Sequence, residues 1–115
     1  MGVLLDGRRR QIGAKGSPLQ LARAQKGVAA IGAQLAVIGV LRGFRPSETT
    51  GGVEIGDEQV EILNDELAAA GGVWAAGPRP RDIVLDGGRS LTVQGARAVR
   101  EGAAVIGWSL WVRGA

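Results

Sequence analysis

The sequence predicts a mainly β fold, a small barrel or sandwich, on three observations. Between residues 83 and 112, apolar residues alternate with polar ones in three short runs that turn sequences separate. Twenty glycines are spread through the 115 residues without a period, more than twice the usual share of about 7%. The longest apolar stretch is rich in β-branched residues and contains glycine, which disfavours a helix. So many turns favour short strands over a helical bundle.

The C-terminal third is predicted to be a β-meander. Its first two strands are expected to reverse at Asp86-Gly87-Gly88-Arg89, because glycine accepts the positive φ of a tight hairpin turn. A second reversal is predicted at Arg100-Glu101-Gly102. The inward positions are the alternating apolar ones: Ile83, Leu85, Leu91, Val93, Ile106, Trp108, Leu110 and Val112.

Trp111 has the opposite parity to Trp108 in the last strand, so the two tryptophans are expected on opposite faces. Trp108 is the predicted core residue. Trp111 then either packs under a loop of the same chain or is covered by a partner.

Upstream, a first strand is predicted around Leu19 and Leu21. Residues 28–41 are apolar on both faces, so periodicity alone does not separate a buried strand from an alanine-rich helix. The β-branched residues favour a strand over residues 34–44, which Pro46 ends. Residues 47–52 form a predicted polar loop.

A second hairpin is predicted over residues 53–62, reversing at Gly56-Asp57. A short helix over residues 65–70 follows, with Asn64 or Asp65 as its N-cap and Gly71-Gly72 as its stop. Residues 1–16 contain four glycines and the cluster Arg8-Arg9-Arg10, and they are predicted to be a flexible basic arm. Residues 17–115 are then one barrel-like domain.

Composition argues against catalysis and metal binding. The chain has no cysteine, histidine or tyrosine, which removes the usual nucleophiles and general bases and the soft ligands of zinc sites. No acidic spacing fits a calcium loop. The expectation is therefore a non-enzymatic protein without a cofactor or metal. No segment has the roughly 20 apolar residues that cross a bilayer, and none is similar to a signal peptide.

Charge is distributed in blocks. Residues 1–26 carry six basic residues against one acid, residues 27–77 carry two against seven, and residues 78–115 carry six against three. In a monomer such blocks are usually solvated faces. In a ring of identical subunits, blocks of opposite sign can meet across head-to-tail contacts.

The order of these segments resembles the small head–tail connector proteins of tailed bacteriophages. Three stretches carry the resemblance: VLRGFRP at 40–46, GGVEIGDEQVEILN at 51–64, and DIVLDGGRSLTVQGARAVREGAAVIGWSLWVRG at 82–114. It covers residues 17–114, and each stretch by itself is strand-and-turn sequence that other small barrels also use.

The resemblance implies a structural protein of the phage neck, a head-completion or stopper protein in the virion that is made in the host cytoplasm. Similar proteins form hexameric or dodecameric rings. They bind a portal or adaptor ring above and a tail terminator or tail tube below, and they line or close the channel for genomic DNA. An adaptor or tail-terminator role in the same neck is an alternative.

Partner contacts are expected from exposed residues in the acidic block and from Trp111. The candidate interface consists of Glu48, Thr49, Thr50, Glu54, Asp57, Glu58 and Trp111. Arg8, Arg9 and Arg10 are the candidate contacts of the arm with DNA or a partner, through phosphate neutralisation without sequence preference. A small OB-like or SH3-like nucleic-acid-binding barrel is the other function that this composition allows.

Overall fold

The computed structural model describes residues 3–24, 31–43 and 56–114, and their six strands form one closed antiparallel barrel. The order around the barrel is β1-β2-β3-β6-β5-β4. The strands are β1 (Ser17–Ala24), β2 (Ile31–Gly43), β3 (Glu58–Leu63), β4 (Ile83–Asp86), β5 (Arg89–Glu101) and β6 (Ala104–Gly114). The helices are α1 (Val3–Lys15) and α2 (Asp65–Ala70), and a single 3₁₀ turn covers Gly72–Trp74. The predicted mainly β class is confirmed, as a barrel.

The barrel interior is filled by alternate residues of every strand. Leu21, Val60, Val84 and Leu110 are fully buried, and each comes from a different strand. Further core residues are Leu19, Val37, Ile62, Leu91, Val93 and Val112. Trp108 packs against this core and Trp111 lies on the other face of β6, as the alternation predicts.

The barrel closes through a short contact between β1 and β4. Only three residue pairs join these strands, from Gln20 opposite Leu85 to Ala22 opposite Ile83. Continuing the pairing would bring in Pro18, which has no N–H to donate. The closing pairing therefore stops where β1 still continues along β2.

The predicted meander and both of its turns are confirmed, but the predicted inward residues of β4 are wrong: Val84 is fully buried in the core, whereas Ile83 and Leu85 are half-buried. Asp86 pairs with Arg89 around Gly87, whose φ is 59°, and Glu101 pairs with Ala104 around Gly102, whose φ is 60°. Both glycines occupy the left-handed region that other residues rarely adopt. Long strands β5 and β6 then form the most extensive pairing of the barrel.

A β-bulge in β5 changes which side chains face outward. The register shifts between Val93 and Gly95, so Gly95 lies opposite Trp111 and Ala96 lies opposite Leu110. Val93 and Ala96 therefore both face the core, although they are three residues apart. Arg97 points outward as a result.

Residues 3–15, expected to be part of a flexible arm, form helix α1 instead. The Arg8 guanidinium donates to the carbonyl oxygens of Ile62 (2.8 Å from Nη2) and Trp108 (3.0 Å), and to Glu61 Oε2 at 3.1 Å. Ile12, in the same helix, is buried. These contacts lie in β3 and β6, far along the chain, so local sequence does not show them.

Gly107 leaves space for α1 against the sheet, and Glu101 binds the start of the helix. A Cβ at position 107 would overlap the Arg8 guanidinium and the Ile62 carbonyl oxygen, so only glycine fits between the helix and the sheet. At the other end, the Glu101 carboxylate accepts hydrogen bonds from the amides of Leu4 (3.2 Å) and Leu5 (3.3 Å). A carboxylate at a helix N-terminus is favourable because it meets unpaired N–H groups. None of the described helices is long and apolar enough to cross a membrane.

The predicted helix at residues 65–70 is confirmed, but its N-cap works differently. Asn64 occupies the N-cap position without a side-chain bond to the helix backbone. Its Oδ1 accepts a 3.0 Å hydrogen bond from Trp108 Nε1 instead, which ties the start of α2 to the barrel. Gly71, with a φ of 62°, ends the helix as expected.

The predicted hairpin over residues 53–62 is only partly within the described residues. Gly56 has a φ of 95°, consistent with a turn there, and Val60 and Ile62 lie in β3 with their side chains in the core. Strand β3 pairs with β2 on one side and with β6 on the other. Val53 and Ile55 lie outside the described residues.

One end of the barrel is held by a buried ion pair between Arg23 of β1 and Asp82. Arg23 Nε and Nη2 each lie 2.9 Å from a carboxylate oxygen, and the side chains are 12% and 2% exposed. The guanidinium also donates to the carbonyl oxygens of Val73 and Gly77, and it lies 4.7 Å from the ring centroid of buried Trp74. The pair therefore joins β1, the 3₁₀ turn and the entry to β4.

We expect Arg23→Met to lower the free energy of unfolding by about 3–5 kcal/mol, because it leaves the buried Asp82 carboxylate without its counter-charge. Urea denaturation of the purified chain measures this. Arg97→Met, at an exposed arginine, is the matched control and should change stability by no more than about 0.5 kcal/mol. Arg23→Met with Asp82→Leu should recover most of the loss. A single-variant loss below about 1 kcal/mol would contradict the role assigned to the pair.

Candidate functional site

The outer face of β2, β3, β6 and β5 carries a polar and aromatic surface around Trp111. The strand register places Arg42, Gln59, Trp111 and Gly95 side by side across these four strands. The next row contains Ser109 and Arg97. We call this surface the Trp111 face: Arg42, Gln59, Gly95, Arg97, Ser109 and Trp111. These residues line a groove of about 410 Å³.

Trp111 is held in a fixed orientation on this face. Its indole Nε1 donates a 2.7 Å hydrogen bond to Asp57 Oδ2, and the Arg113 guanidinium lies 5.8 Å from the ring centroid. The side chain lies against Gly95, where a Cβ would be 3.4 Å from the ring. Because the ring is only half-buried, it offers an oriented apolar surface to a partner.

Asp57 is the residue that fixes this arrangement. It is 4% exposed, and its two oxygens lie 2.9 and 3.0 Å from Arg113 Nε and Nη2, in addition to the Trp111 bond. A buried carboxylate is stable only when charge and hydrogen bonds compensate for lost hydration. Asp57 is therefore part of the support beneath the Trp111 face.

The middle of the face is a hydrogen-bonded cluster. Gln59 Nε2 donates to Ser109 Oγ and to Glu61 Oε1, and Ser109 Oγ donates to the same Glu61 oxygen at 3.2 Å. The other Glu61 oxygen accepts from Arg8 of α1. The helix and the Trp111 face thus share one carboxylate.

On the described surface, acidic and basic side chains differ in how many have a partner within the chain. Every described carboxylate except that of Asp6 takes part in an ion pair or accepts a hydrogen bond within the chain. The engaged residues are Asp57, Glu58, Glu61, Asp65, Glu66, Asp82, Asp86 and Glu101. By contrast, within residues 3–24, 31–43 and 56–114, several exposed guanidinium groups have no such contact: Arg10, Arg79, Arg81, Arg97 and Arg100. The surface left for partners is therefore basic.

The predicted basic cluster is divided by α1 into three different environments. Arg8 is 15% exposed and occupied by Glu61 and two carbonyl oxygens, so it is structural and not a contact of a mobile arm. Arg9 pairs with Asp65, and that hydrogen bond and charge raise the pKa of the Arg9 guanidinium. Arg10 is exposed.

The predicted interface residues are also separated. Glu48, Thr49, Thr50 and Glu54 lie outside the described residues. Asp57 does not have the exposure expected of a docking acid, because Arg113 and Trp111 enclose it. Glu58 is half-buried, and its Oε2 lies 3.2 Å from Arg89 Nη2. Trp111 faces outward as predicted, and it packs on its own chain without being covered.

Of the residues of the Trp111 face, only Trp111 is predicted from the sequence as a site residue. Ser109 shares the outward parity of Trp111, which was a usable signal. The outward direction of Arg97 could not be predicted from alternation, because the bulge in β5 shifts the alternation before this residue. Arg42 and Gln59 join the face through pairing of β2 with β3, which becomes visible only with the register.

Within the described residues, no group of three or more His, Cys, Asp or Glu side chains is placed to hold a metal ion. Comparisons of the chain with family models, with curated proteins and with solved structures find no match. The Trp111 face and the basic surface are therefore the features from which function is inferred.

Asp57→Asn tests the support beneath the face. It keeps an acceptor for Trp111 Nε1 but removes the charge opposite Arg113, so we expect unfolding free energy to fall by about 2 kcal/mol. Glu58→Gln is the control, since an ion pair with the exposed Arg89 contributes less than about 1 kcal/mol. Urea denaturation followed by tryptophan fluorescence compares the two. An equal loss of unfolding free energy in the two variants would contradict the role of Asp57 in supporting the Trp111 face.

Proposed function

We propose that this chain is a structural, non-enzymatic protein of the neck of a tailed bacteriophage, acting as a head-completion or stopper protein. The order of its sequence segments resembles that family, and the described parts of those segments, residues 40–43, 56–64 and 82–114, contribute to strands β2 to β6 of one closed barrel. Adaptors of the neck are typically helical, so the predominance of strands favours a stopper over an adaptor.

The observation that carries the proposal is the imbalance between occupied acids and unoccupied arginines on the described surface. Since the described carboxylates other than Asp6 are engaged, the described part of the chain presents guanidinium groups to its surroundings. Such a surface attracts negatively charged partners and orients them before close contact. Genomic DNA in a channel and acidic faces of adjoining rings are both partners of this kind.

The Trp111 face supplies the apolar part of a docking surface. An oriented aromatic group beside arginines is the composition found at the centre of protein interfaces, where a few such residues supply most of the affinity. In the proposed neck, this face meets an adjoining subunit or ring, a hexameric or dodecameric ring being the expected assembly. Portal or adaptor above, and tail terminator or tail tube below, are the proposed partners in the virion.

The assembly experiment mixes the purified chain with portal complexes of the phage that encodes it, and measures ring addition by light scattering and negative-stain imaging. We expect addition to the portal, and at least about a tenfold loss of affinity for Trp111→Ala and Arg97→Glu. Arg100→Glu reverses the same charge at an exposed arginine outside the face, and should cost much less.

Two outcomes would contradict the proposal. If the wild-type chain does not associate with portal, adaptor or tail complexes, the neck function is wrong. If Arg100→Glu weakens association as much as Arg97→Glu, net charge and not the Trp111 face determines binding. Melting temperatures of the variants distinguish lost docking from lost folding.

A nucleic-acid-binding barrel is the second candidate, and the juxtaposition of Trp111 with Arg97 favours it. Single-strand binders combine a basic groove with aromatic rings on which bases stack. The Trp111 ring is half-buried and oriented, and the groove beside it contains guanidinium groups. The same surface would then bind phosphates and bases instead of a protein.

Salt dependence separates this candidate from protein docking. Affinity of the chain for a 20-nucleotide oligo-dT is measured by tryptophan quenching from low to high salt. If the Trp111 face binds the strand, log affinity falls with log salt by about 0.7 per phosphate contacted, and Arg97→Gln lowers the slope by about that amount. Arg100→Gln is the control. A slope that neither Arg97→Gln nor Trp111→Ala changes would rule out this face as the nucleic-acid site.

A further inference from the structure

Strand β2 has an edge that no described strand covers over its first half. Residues 31–39 pair with β1, whereas pairing with β3 begins only at Gly39. The amide of Ile38 points away from β1, since it donates a 3.0 Å hydrogen bond to Glu66 Oε2 of α2. Because amide direction alternates along a strand, Gln34 and Ala36 also direct their N–H and C=O groups away from β1.

These edge groups have no partner within the described part of the chain. Neither Gln34 nor Ala36 makes a hydrogen bond on that side, and both are exposed. An exposed strand edge is a template for one more strand, and natural proteins usually block such edges. Here the block is limited to Ile38, where the Glu66 carboxylate occupies the position of a strand partner.

Beside this edge lies a groove of about 600 Å³ on the outer face of β1 and β2. Its lining is mostly apolar and includes Pro18, Ala36, Ile38 and Leu85. Ile38 is 39% exposed, which is unusual for a large apolar side chain in this molecule. Ala36 and Ile38 are the β2 residues of this lining, so apolar side chains of an added strand would lie beside them.

Glu66 adds a charge requirement. One carboxylate oxygen accepts from Ile38, but Oε1 is buried and accepts no hydrogen bond from any described residue. A buried carboxylate oxygen without a donor is costly. A lysine or arginine side chain at the groove would supply both the donor and the opposite charge.

We propose that the open edge of β2 binds an extended segment of a partner polypeptide by strand addition, with a basic side chain of that segment placed at Glu66. Main-chain hydrogen bonds at Gln34 and Ala36 supply affinity, and the apolar groove and Glu66 select the sequence. The inference is independent of the neck function, since it uses a different face of the barrel and would hold for either candidate function.

The test tethers a probe strand to the full chain so that weak binding is detectable. An alternating valine–threonine octapeptide with one central lysine is fused to the C-terminus through a Gly/Ser linker of about 20 residues, whose r.m.s. span is about 25 Å. Hydrogen exchange read by NMR reports each amide. We expect exchange at Gln34 and Ala36 to slow about tenfold or more relative to the unfused chain.

Three controls make the result specific. A probe with prolines at alternate positions cannot donate to the edge and should give no protection. A probe with glutamate in place of lysine should protect less, and Glu66→Gln should remove the difference between the two probes. Ala36→Pro, which deletes an edge donor, should abolish protection at Gln34 while the unfused variant keeps its fold.

Several results would overturn the proposal. One is unchanged exchange at Gln34 and Ala36 with the lysine probe. Another is protection that survives Ala36→Pro or the proline probe, which would place the peptide elsewhere. Protection of the same amides in the unfused chain that rises with concentration, together with dimers in light scattering, would show that the occupant is a second copy and not a partner segment.

Discussion

Closure of the barrel between β1 and β4 is the constraint on which the other features depend. Three residue pairs make this closure, because Pro18 ends the pairing on one side. The buried Arg23–Asp82 pair lies at the other end and ties β1 to the segment that leads into β4. β1 is thus paired with β2 on one side and with β4 on the other, and every strand of the barrel has a neighbour on each side. Trp111, Gln59 and Arg42 then lie in one row, and the first half of β2 is left with a single strand partner.

Many of the charged side chains in this molecule form ion pairs within the chain. Arg8, Arg9, Arg23, Arg89 and Arg113 each neutralise acids that are distant in the chain. This pairing explains why the block pattern of the sequence does not survive as blocks on the surface: the acids of the middle segment pair with arginines of the outer two. Apart from Asp6, the charged groups left without a partner on the described surface are basic. A small excess of basic residues in the sequence thus becomes a much clearer bias at the surface.

The sequence predicted those elements whose cause is local. Alternation and turn glycines located β4, β5 and β6, β-branched residues favoured a strand in β2, and Gly71 ended α2. Helix α1 was missed because its apolar pattern is weak and its stability comes from Arg8 bonded to β3 and β6. Arg97 was missed because the bulge at Gln94 has no local signature. The sequence predicts Asp57 as a turn residue and an exposed interface acid, because Trp111 and Arg113, which bind it, lie more than 50 residues away. Residues 44–55, which contain most of the expected acidic interface, lie outside the described part of the chain.

The position of α1 also has a consequence for the order in which the molecule is built. Its hydrogen bonds that involve side chains reach Glu61, Ile62, Asp65, Glu101 and Trp108, between 53 and 100 residues further along the chain. During synthesis, the first helix therefore cannot complete these contacts until β6 has left the ribosome, so the earliest residues made are among the last to reach their final place. Contacts that are so distant in sequence make chain closure slow. Until then, the Glu61 carboxylate and the carbonyl oxygens of Ile62 and Trp108 lack the Arg8 guanidinium that they bind in the finished fold.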